Sequence, residues 1–301
     1  MKFGKLPGIE GVDFSLPPLN ERSLALLGGQ AHDHFEMFVG LSRWASKEWV
    51  GHLYPKGTKQ VDYLAHYSKA YNTIELNSTH YRSPSIDQVK KWRDMAAPGF
   101  RFCPKIPQSI SHYRKLMNIS EELTLFVDAI AHFEESLGCS FVQLHDSFSP
   151  ALFTNLAHFL AQWPTGFPLA VEFRHPDWFA DRQLIPAACD LLEKHGIASV
   201  ITDVAGRRDV SHSSLTSKIA MIRFVGNELH PTDFSRSQAW LERIALWRQQ
   251  GLESLYLFPH EPGDMMASDL ADFWIKEVNK QFGQRIAGSS GAAAGGQMAL
   301  F

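Results

Sequence analysis

Eight short apolar runs, each followed by a stretch with helical periodicity or a loop, constrain this chain more than any other feature. They are "MFVGL" (37–41), "TIELN" (73–77), "RFCPKI" (101–106), "FVQLH" (141–145), "LAVEF" (169–173), "SVITD" (199–203), "AMIRFV" (220–225) and "LYLFPH" (255–260). Their length and their β-branched or aromatic content predict strands. Helices are expected near 58–70, 85–97, 119–136, 151–162, 181–195, 234–250 and 265–282. Ser120 before Glu121-Glu122, and Asp233 or Ser235 before the Trp240/Ile244/Trp247 stripe, are start signals. Only the segment after the sixth run, "GRRDVSHSS", reads as loop or irregular helix. Strand–helix alternation of this length predicts an α/β protein, a single-domain closed (β/α)8 (TIM) barrel. An open doubly wound sheet would bring a glycine-rich phosphate turn after its first strand, and none is present.

Around this body, residues 1–36 show no period and form an expected N-terminal extension, 37–283 form the barrel, and 284–301, rich in small residues, form a flexible tail. A chain of 301 residues with 45% hydrophobic positions can bury one large core. A net charge of −3 argues against a surface coated for nucleic acid. Cys103, Cys139 and Cys189 form no CxxC pair, which points to a reducing cytoplasm rather than to disulfides or structural zinc. Neither a basic-apolar leader nor an apolar run of ~20 residues appears, so neither export nor a membrane partner is expected.

In a parallel barrel the C-terminal strand ends converge on one mouth, where the chemistry sits. Side chains alternate along a strand, so Ala170, Glu172 and Arg174 share a face, with the small Ala170 leaving room for the charges above it. The same count places Glu75 and Asn77, Lys105, Gln143, Asp203, Arg223 and His260 at comparable depth on other strands. Isolated ions in a dry core cost several kcal/mol, so this ring is either a self-satisfied set of ion pairs or a site. The cations Lys105, Arg174 and Arg223, with Arg82 and His112 from the loops, favour a phosphate- or carboxylate-bearing ligand. Trp44, Trp49 and Tyr54 either wall that pocket or serve as hydrophobic lids.

The stretches "VGLSRWASKEWVGHLYP" (39–55), "YNTIELNSTHYRSPS" (71–85), "FRFCPKIPQSISH" (100–112) and "AVEFRHPDW" (170–178) resemble the successive signatures of the YecE-like family, catalogued as domain of unknown function 72, from about 38 to 275. The resemblance implies a (β/α)8 barrel with a polar cleft. Its matching positions here are Trp44, Trp49, Tyr54, Glu75, Asn77, Tyr81, Lys105, His112, Gln143, Glu172, Arg174, Asp203 and Arg223. It brings no reaction with it. Two departures stand out: Gln143-Leu-His145-Asp146-Ser-Phe148 where many relatives have "QLPPSF", and Phe258-Pro259-His260-Glu261 where many have paired asparagines.

Among reaction classes, a retaining glycosidase needs two carboxyls about 5 Å apart, commonly on the fourth and seventh strands, where this chain has Gln143 and Arg223. An amidohydrolase would want His-x-His on the first strand, which reads "MFVGL". A Schiff base on Lys105 is disfavoured if Glu172 and Asp203 hold the amine charged. The preferred expectation is a cytoplasmic enzyme without a required cofactor, doing hydrolytic or acid/base (lyase or isomerase) chemistry. Glu172 transfers protons, Lys105 stabilises developing charge, Asp203 orients Lys105 or an arginine, and Arg174 and Arg223 hold the anion. The alternative is a divalent metal on Glu172, Asp203, His260 and Glu261, with His175 or His145 nearby. Finally, the terminal "QMALF" resembles the Gln-Leu-x-Leu-Phe motif by which bacterial replication and repair proteins dock on the DNA polymerase sliding clamp. Gln297 would orient it, and Met298, Leu300 and Phe301 would fill an apolar pocket. That reading makes the chain a clamp-tethered protein acting on DNA or a nucleotide, as a nuclease, a phosphodiesterase or a binding module.

Overall fold

The computed structural model describes residues 4, 6–32 and 34–289. Every expected run carries a strand: β1 (Glu36–Val39), β2 (Thr73–Leu76), β3 (Arg101–Pro104), β4 (Ser140–Gln143), β5 (Leu169–Glu172), β6 (Ala198–Asp203), β7 (Ile219–Val225) and β8 (Ser254–His260). Helix α1 (Glu21–Leu27) precedes β1. Then α2 (Tyr63–Ala70), α3 (Ile86–Met95), α4 (Ser120–Ala131), α5 (Phe153–Gln162) and α6 (Pro186–Lys194) follow the first five strands in turn, and α7 (Pro231–Gln250) and α8 (Asp264–Phe282) follow the last two. The fold is mixed α/β around a parallel six-stranded sheet ordered β1-β8-β7-β6-β5-β4, with β2 and β3 as a separate parallel pair.

The expected eight-stranded ladder is interrupted at two seams, each with a local cause. Between β3 and β4, Gly138 donates to Phe102 O at 2.7 Å and Ile106 donates to Phe141 O at 2.9 Å. Pro104 lies between these two bonds and has no N–H to continue the series. Between β1 and β2, the Asn72 side chain intrudes, accepting from Val39 N at 2.8 Å and donating to Met37 O at 2.9 Å. Backbone pairing resumes only where Glu75 N donates to Leu41 O at 3.0 Å. Gly40 permits this approach, because a Cβ there would lie 1.9 Å from Thr73 O.

Strand alternation separates two apolar layers. Phe38, Cys103, Cys139, Phe141, Ala170, Ala198, Val200, Met221, Tyr256 and Phe258 form a small inner cluster, closed at one end by Phe38 stacked on Tyr256 at 4.7 Å. The larger cluster lies between strands and helices and includes Ile74, Phe102, Val171, Ile222, Trp240 and Trp274. No helix among the described residues is long and apolar enough to cross a membrane.

No α-helix follows β6, and the expected N-terminal extension packs into that gap. After Asp203 the chain runs back along β6, with His212 Nε2 3.1 Å from Val200 O and Ser199 Oγ donating to Ser214 O. Residues 14–27 pack on this segment and on its neighbours. Arg182 donates to Ser15 O at 2.5 Å, Ser213 Oγ to Pro18 O at 2.5 Å and Arg243 to Pro17 O at 3.0 Å, while the Arg236 guanidinium sits 4.7 Å from the Phe14 ring centre. Asn20 caps α1 by accepting from Ser23 N, a contact worth about 1 kcal/mol. Gly251, at φ 117°, ends α7 where a Cβ would meet Leu27 O at 2.3 Å, so α1 closes on the end of α7. Polar side chains share the work of holding residues 14–27 with Leu16, Leu24, Leu26 and Leu27, and a single helix of seven residues is too short for a clear periodic stripe. The expected tail likewise begins as packed chain: Gln284 bridges Phe35 O and Met37 N, and Ser289 N donates to Asp272.

Candidate functional site

On the inner face above Phe141, residues from five strands meet. Arg223, on β7, donates from Nε and Nη2 to the two carboxylate oxygens of Glu75 on β2, both at 2.9 Å, and from Nη1 to Glu172 Oε2 on β5 at 2.8 Å. Glu172 Oε1 accepts from Arg174 Nε at 2.8 Å. His260, at the end of β8, donates from Nε2 to Glu75 Oε2 at 2.9 Å, and Asn77 Nδ2 donates to Glu75 Oε1 at 2.7 Å. Lys105, just beyond β3, takes a different partner: its Nζ donates to the neutral Gln143 Oε1 on β4 at 2.9 Å. Both the Lys105 ammonium (5.7 Å) and the Arg223 guanidinium (5.8 Å) lie over the Phe141 ring, which is thus the floor of the group.

The electrostatics follow from who is paired with whom. Burial alone would raise the Glu172 carboxyl, but Arg174, Arg223 and Lys105 outweigh it and hold it at about 2. Glu75 is likewise kept well below the usual carboxylate range by Arg223 and His260, against its burial. Both are anions at neutral pH and weak bases. Lys105 is pulled the other way: burial, then the charge of Arg223, lowers its amine to about 8, and the pull of Glu75 and Glu172 does not restore it because their charge is largely answered by the arginines. Among the described residues, three cations, Arg174, Arg223 and Lys105, thus meet two carboxylates on this face.

Around the rim stand histidines from three loops. His80 and His112 rings lie 4.9 Å apart, and His112 and His145 rings 5.4 Å apart. His80 Nδ1 donates to Ile106 O at 2.8 Å, leaving Nε2 as the lone-pair nitrogen. Burial and the charge of Lys105 lower His80 to about 4; burial, His80 and then Lys105 lower His112 to about 3. Both rings are neutral at physiological pH. Tyr81, beside His80, is 73% exposed.

Several expected members lie elsewhere. Asp203 faces the helices, not the mouth: its carboxylate pairs with Arg208 and with Arg236 (3.1 Å) and accepts from Trp240 Nε1 at 2.6 Å. The cause is a one-residue phase: Ala198 and Val200 are in the inner cluster, so Thr202, the register partner of Arg223, is the inward residue. Trp49 and Tyr54 are buried in the outer layer, with Trp49 Nε1 donating to Asp264 O and the Tyr54 ring stacked on Tyr63. Trp44 accepts Tyr54 Oη at its carbonyl and packs its ring on Trp92 and Phe102. None of the three walls the mouth. Glu261 binds the backbone N–H groups of Glu228 and Leu229, and burial pushes its carboxyl up to about 7. Glu172, Asp203, His260 and Glu261 are therefore not gathered as a metal-binding set, and among the described residues no three His, Cys, Asp or Glu side chains come together as one. Gln297, Met298, Leu300 and Phe301 lie outside the described residues.

Two residues at the mouth went unread in the sequence. Thr202 Oγ1 is buried without a hydrogen-bond partner among the described residues, at the level of Arg223, and strand phase counted from Val200 would have found it. His80 sits in a one-turn helix, Ser78–Tyr81, and carries no strand periodicity.

The family model "Protein of unknown function DUF72" matches residues 38–293. Among curated relatives, the UPF0759 protein YecE of Escherichia coli O157:H7 and that of strain K12 are each 29% identical over 262 residues, covering 81% of this chain and 93% of theirs. Among solved structures, a DUF72 family protein from Enterococcus faecalis V583 superposes with a TM-score of 0.65 at 19% identity, covering 82% of this chain and 99% of that one. With a family match over most of its length, the chain belongs to the DUF72 family.

Proposed function

We propose that the eight strands act as one (β/α)8 barrel whose mouth is an enzyme site for a small anionic compound, a carboxylate or phosphate, and that Lys105 is the group that exchanges protons with it. The observation that carries this reading is the partner of Lys105: a buried ammonium held by a neutral amide, in a ring whose carboxylates are already bonded to arginines. An amine near 8 can both give and take a proton close to physiological pH, whereas a carboxylate held near 2 cannot. Glu172 accordingly positions Arg174 and Arg223 rather than moving protons. The surplus cation draws an anion, and Thr202 Oγ1 offers a buried hydroxyl to it.

Calorimetric titration with small carboxylates and phosphate monoesters tests the proposal. Binding of at least one of them should be lost in Lys105→Met and retained in Asp203→Asn. Equal affinity in wild type and Lys105→Met removes the mouth as the anion site. The QMALF sequence supports a separate proposal, docking on a sliding clamp. Deleting residues 297–301 should abolish retention on immobilised clamp; unchanged retention ends it.

A further inference from the structure

From the setting of Lys105 we infer that this amine is a nucleophile, forming a covalent iminium with an aldehyde or ketone that also carries the anionic group. The inference rests on the mouth being an anion site and names the second functional group its ligand needs.

Four observations meet at this residue. Its Nζ is buried and, among the described residues, makes one hydrogen bond, to an amide oxygen that leaves the nitrogen lone pair available once the ammonium loses a proton. No ion pair among the described residues ties it down: Glu75 and Glu172, the carboxylates of the same face, are bonded to Arg223 and Arg174. Its main chain is fixed on both sides, with Lys105 N donating to Leu76 O at 3.3 Å and Lys105 O accepting from Thr79 Oγ1 at 2.7 Å, so the amine is presented from a rigid base. The groups that face it from every neighbouring element, namely Glu75, Gln143, Glu172, Arg174, Arg223, His80 and His112, include both neutral hydrogen-bonding groups and fixed charges, and no second amine. With its amine near 8, Lys105 holds a neutral fraction roughly two hundred times that of a solvated lysine at neutral pH.

The step balances without a cofactor. The Nζ lone pair forms a C–N bond to the carbonyl carbon as the C=O π pair moves to oxygen, and a proton passes from nitrogen to that oxygen. The carbinolamine then expels hydroxide, which leaves as water with one proton from solvent, and the product is a protonated iminium. Ammonium and iminium carry the same charge, so the Glu75–Arg223–Glu172–Arg174 network faces the same cation before and after. Such an iminium withdraws electrons from the adjacent carbon, which suits bond breaking next to a carbonyl.

Reductive trapping tests this. The full-length protein is incubated with sodium cyanoborohydride and either pyruvate, an anionic ketone, or acetone, a neutral one, and the adduct is mapped by peptide mass spectrometry. Pyruvate should label Lys105 about tenfold or more faster than any other lysine, with the label absent in Lys105→Arg. If pyruvate and acetone label Lys105 equally fast, the nucleophile stands and the anion site fails. If carboxylates bind by calorimetry yet Lys105 stays unlabelled, the anion site stands and the iminium is overturned. Labelling spread over surface lysines in proportion to exposure also overturns it. Mapping on wild type identifies the labelled lysine by itself, so the proposal can be overturned without relying on the folding of Lys105→Arg.

Discussion

Arg223 grips both oxygens of Glu75 across 148 residues of sequence, Nε to Oε2 and Nη2 to Oε1 at 2.9 Å each, and spends its remaining nitrogen on Glu172. One guanidinium thus joins three strands, and both carboxylates depend on it. Arg223→Met should destabilise the protein by about 3–5 kcal/mol, because buried charges lose their counterion. The sign with pH is opposite to the usual acid weakening. In wild type the two depressed carboxyls contribute stability above their ordinary 4.5 that is lost as pH falls. In the variant the same carboxyls gain by protonation, so the deficit relative to wild type should narrow towards about pH 4. Urea denaturation of both proteins across that range checks it.

Lys105 costs the fold what it offers the chemistry. Its amine falls from the ordinary 10.5 to about 8, so protonated Lys105 destabilises the native state by roughly 3 kcal/mol below pH 8, and this cost disappears as pH rises towards 10.5. Lys105→Met, similar in length and apolar, should therefore be more stable than wild type at neutral pH and lose that advantage near pH 10. Paired denaturation curves at the two pH values measure the difference. A variant less stable at neutral pH would mean that the amine is stabilised by its surroundings.

Asp203→Asn separates the outer network from the mouth. It weakens the bonds to Arg236, Arg208 and Trp240, and a loss of about 3 kcal/mol is expected. Anion affinity and Lys105 trapping should change by less than about twofold, since the two clusters lie on opposite faces of β6 and distant sites are additive. A large loss of trapping in a folded Asp203→Asn protein would show that the two faces communicate.

Asn20→Ala removes the α1 cap together with bonds to Gln183 and Ser214, at a cost of about 1–2 kcal/mol. Hydrogen exchange should then speed up in residues 205–216 as well as in α1, because the two segments fill one gap between helices. Acceleration confined to residues 20–27 would show that 205–216 is ordered without them.

How much of this was legible in the sequence divides along physical lines. All eight strand positions were readable, because short runs of buried residues leave a pattern. Glu75, Lys105, Gln143, Glu172, Arg174, Arg223 and His260 were found by counting alternate residues back from the strand ends. The count failed on β6, where a β-branched threonine resembles core and an aspartate draws the eye; the ring at the mouth holds Thr202, and the helices hold Asp203. Trp44, Trp49 and Tyr54 lie in a loop, and loop aromatics give no direction from spacing. The amine of Lys105 went the other way for a related reason: nearby acids look activating or quenching according to whom they already bond, and that is a three-dimensional fact. The seams at Pro104 and Asn72 depend on individual hydrogen bonds, which runs of apolar residues do not encode.

The filling of the β6 gap sets an order of events during synthesis. Pro17 is made before the arginine that binds its carbonyl, which lies 226 positions later. Until α7 is made, Pro17 lacks that bond, although Ser15, Pro18 and Asn20 can already pair with Arg182, Ser213 and Gln183. Docking of residues 14–27 can therefore start on these earlier segments and is completed only when α7 forms.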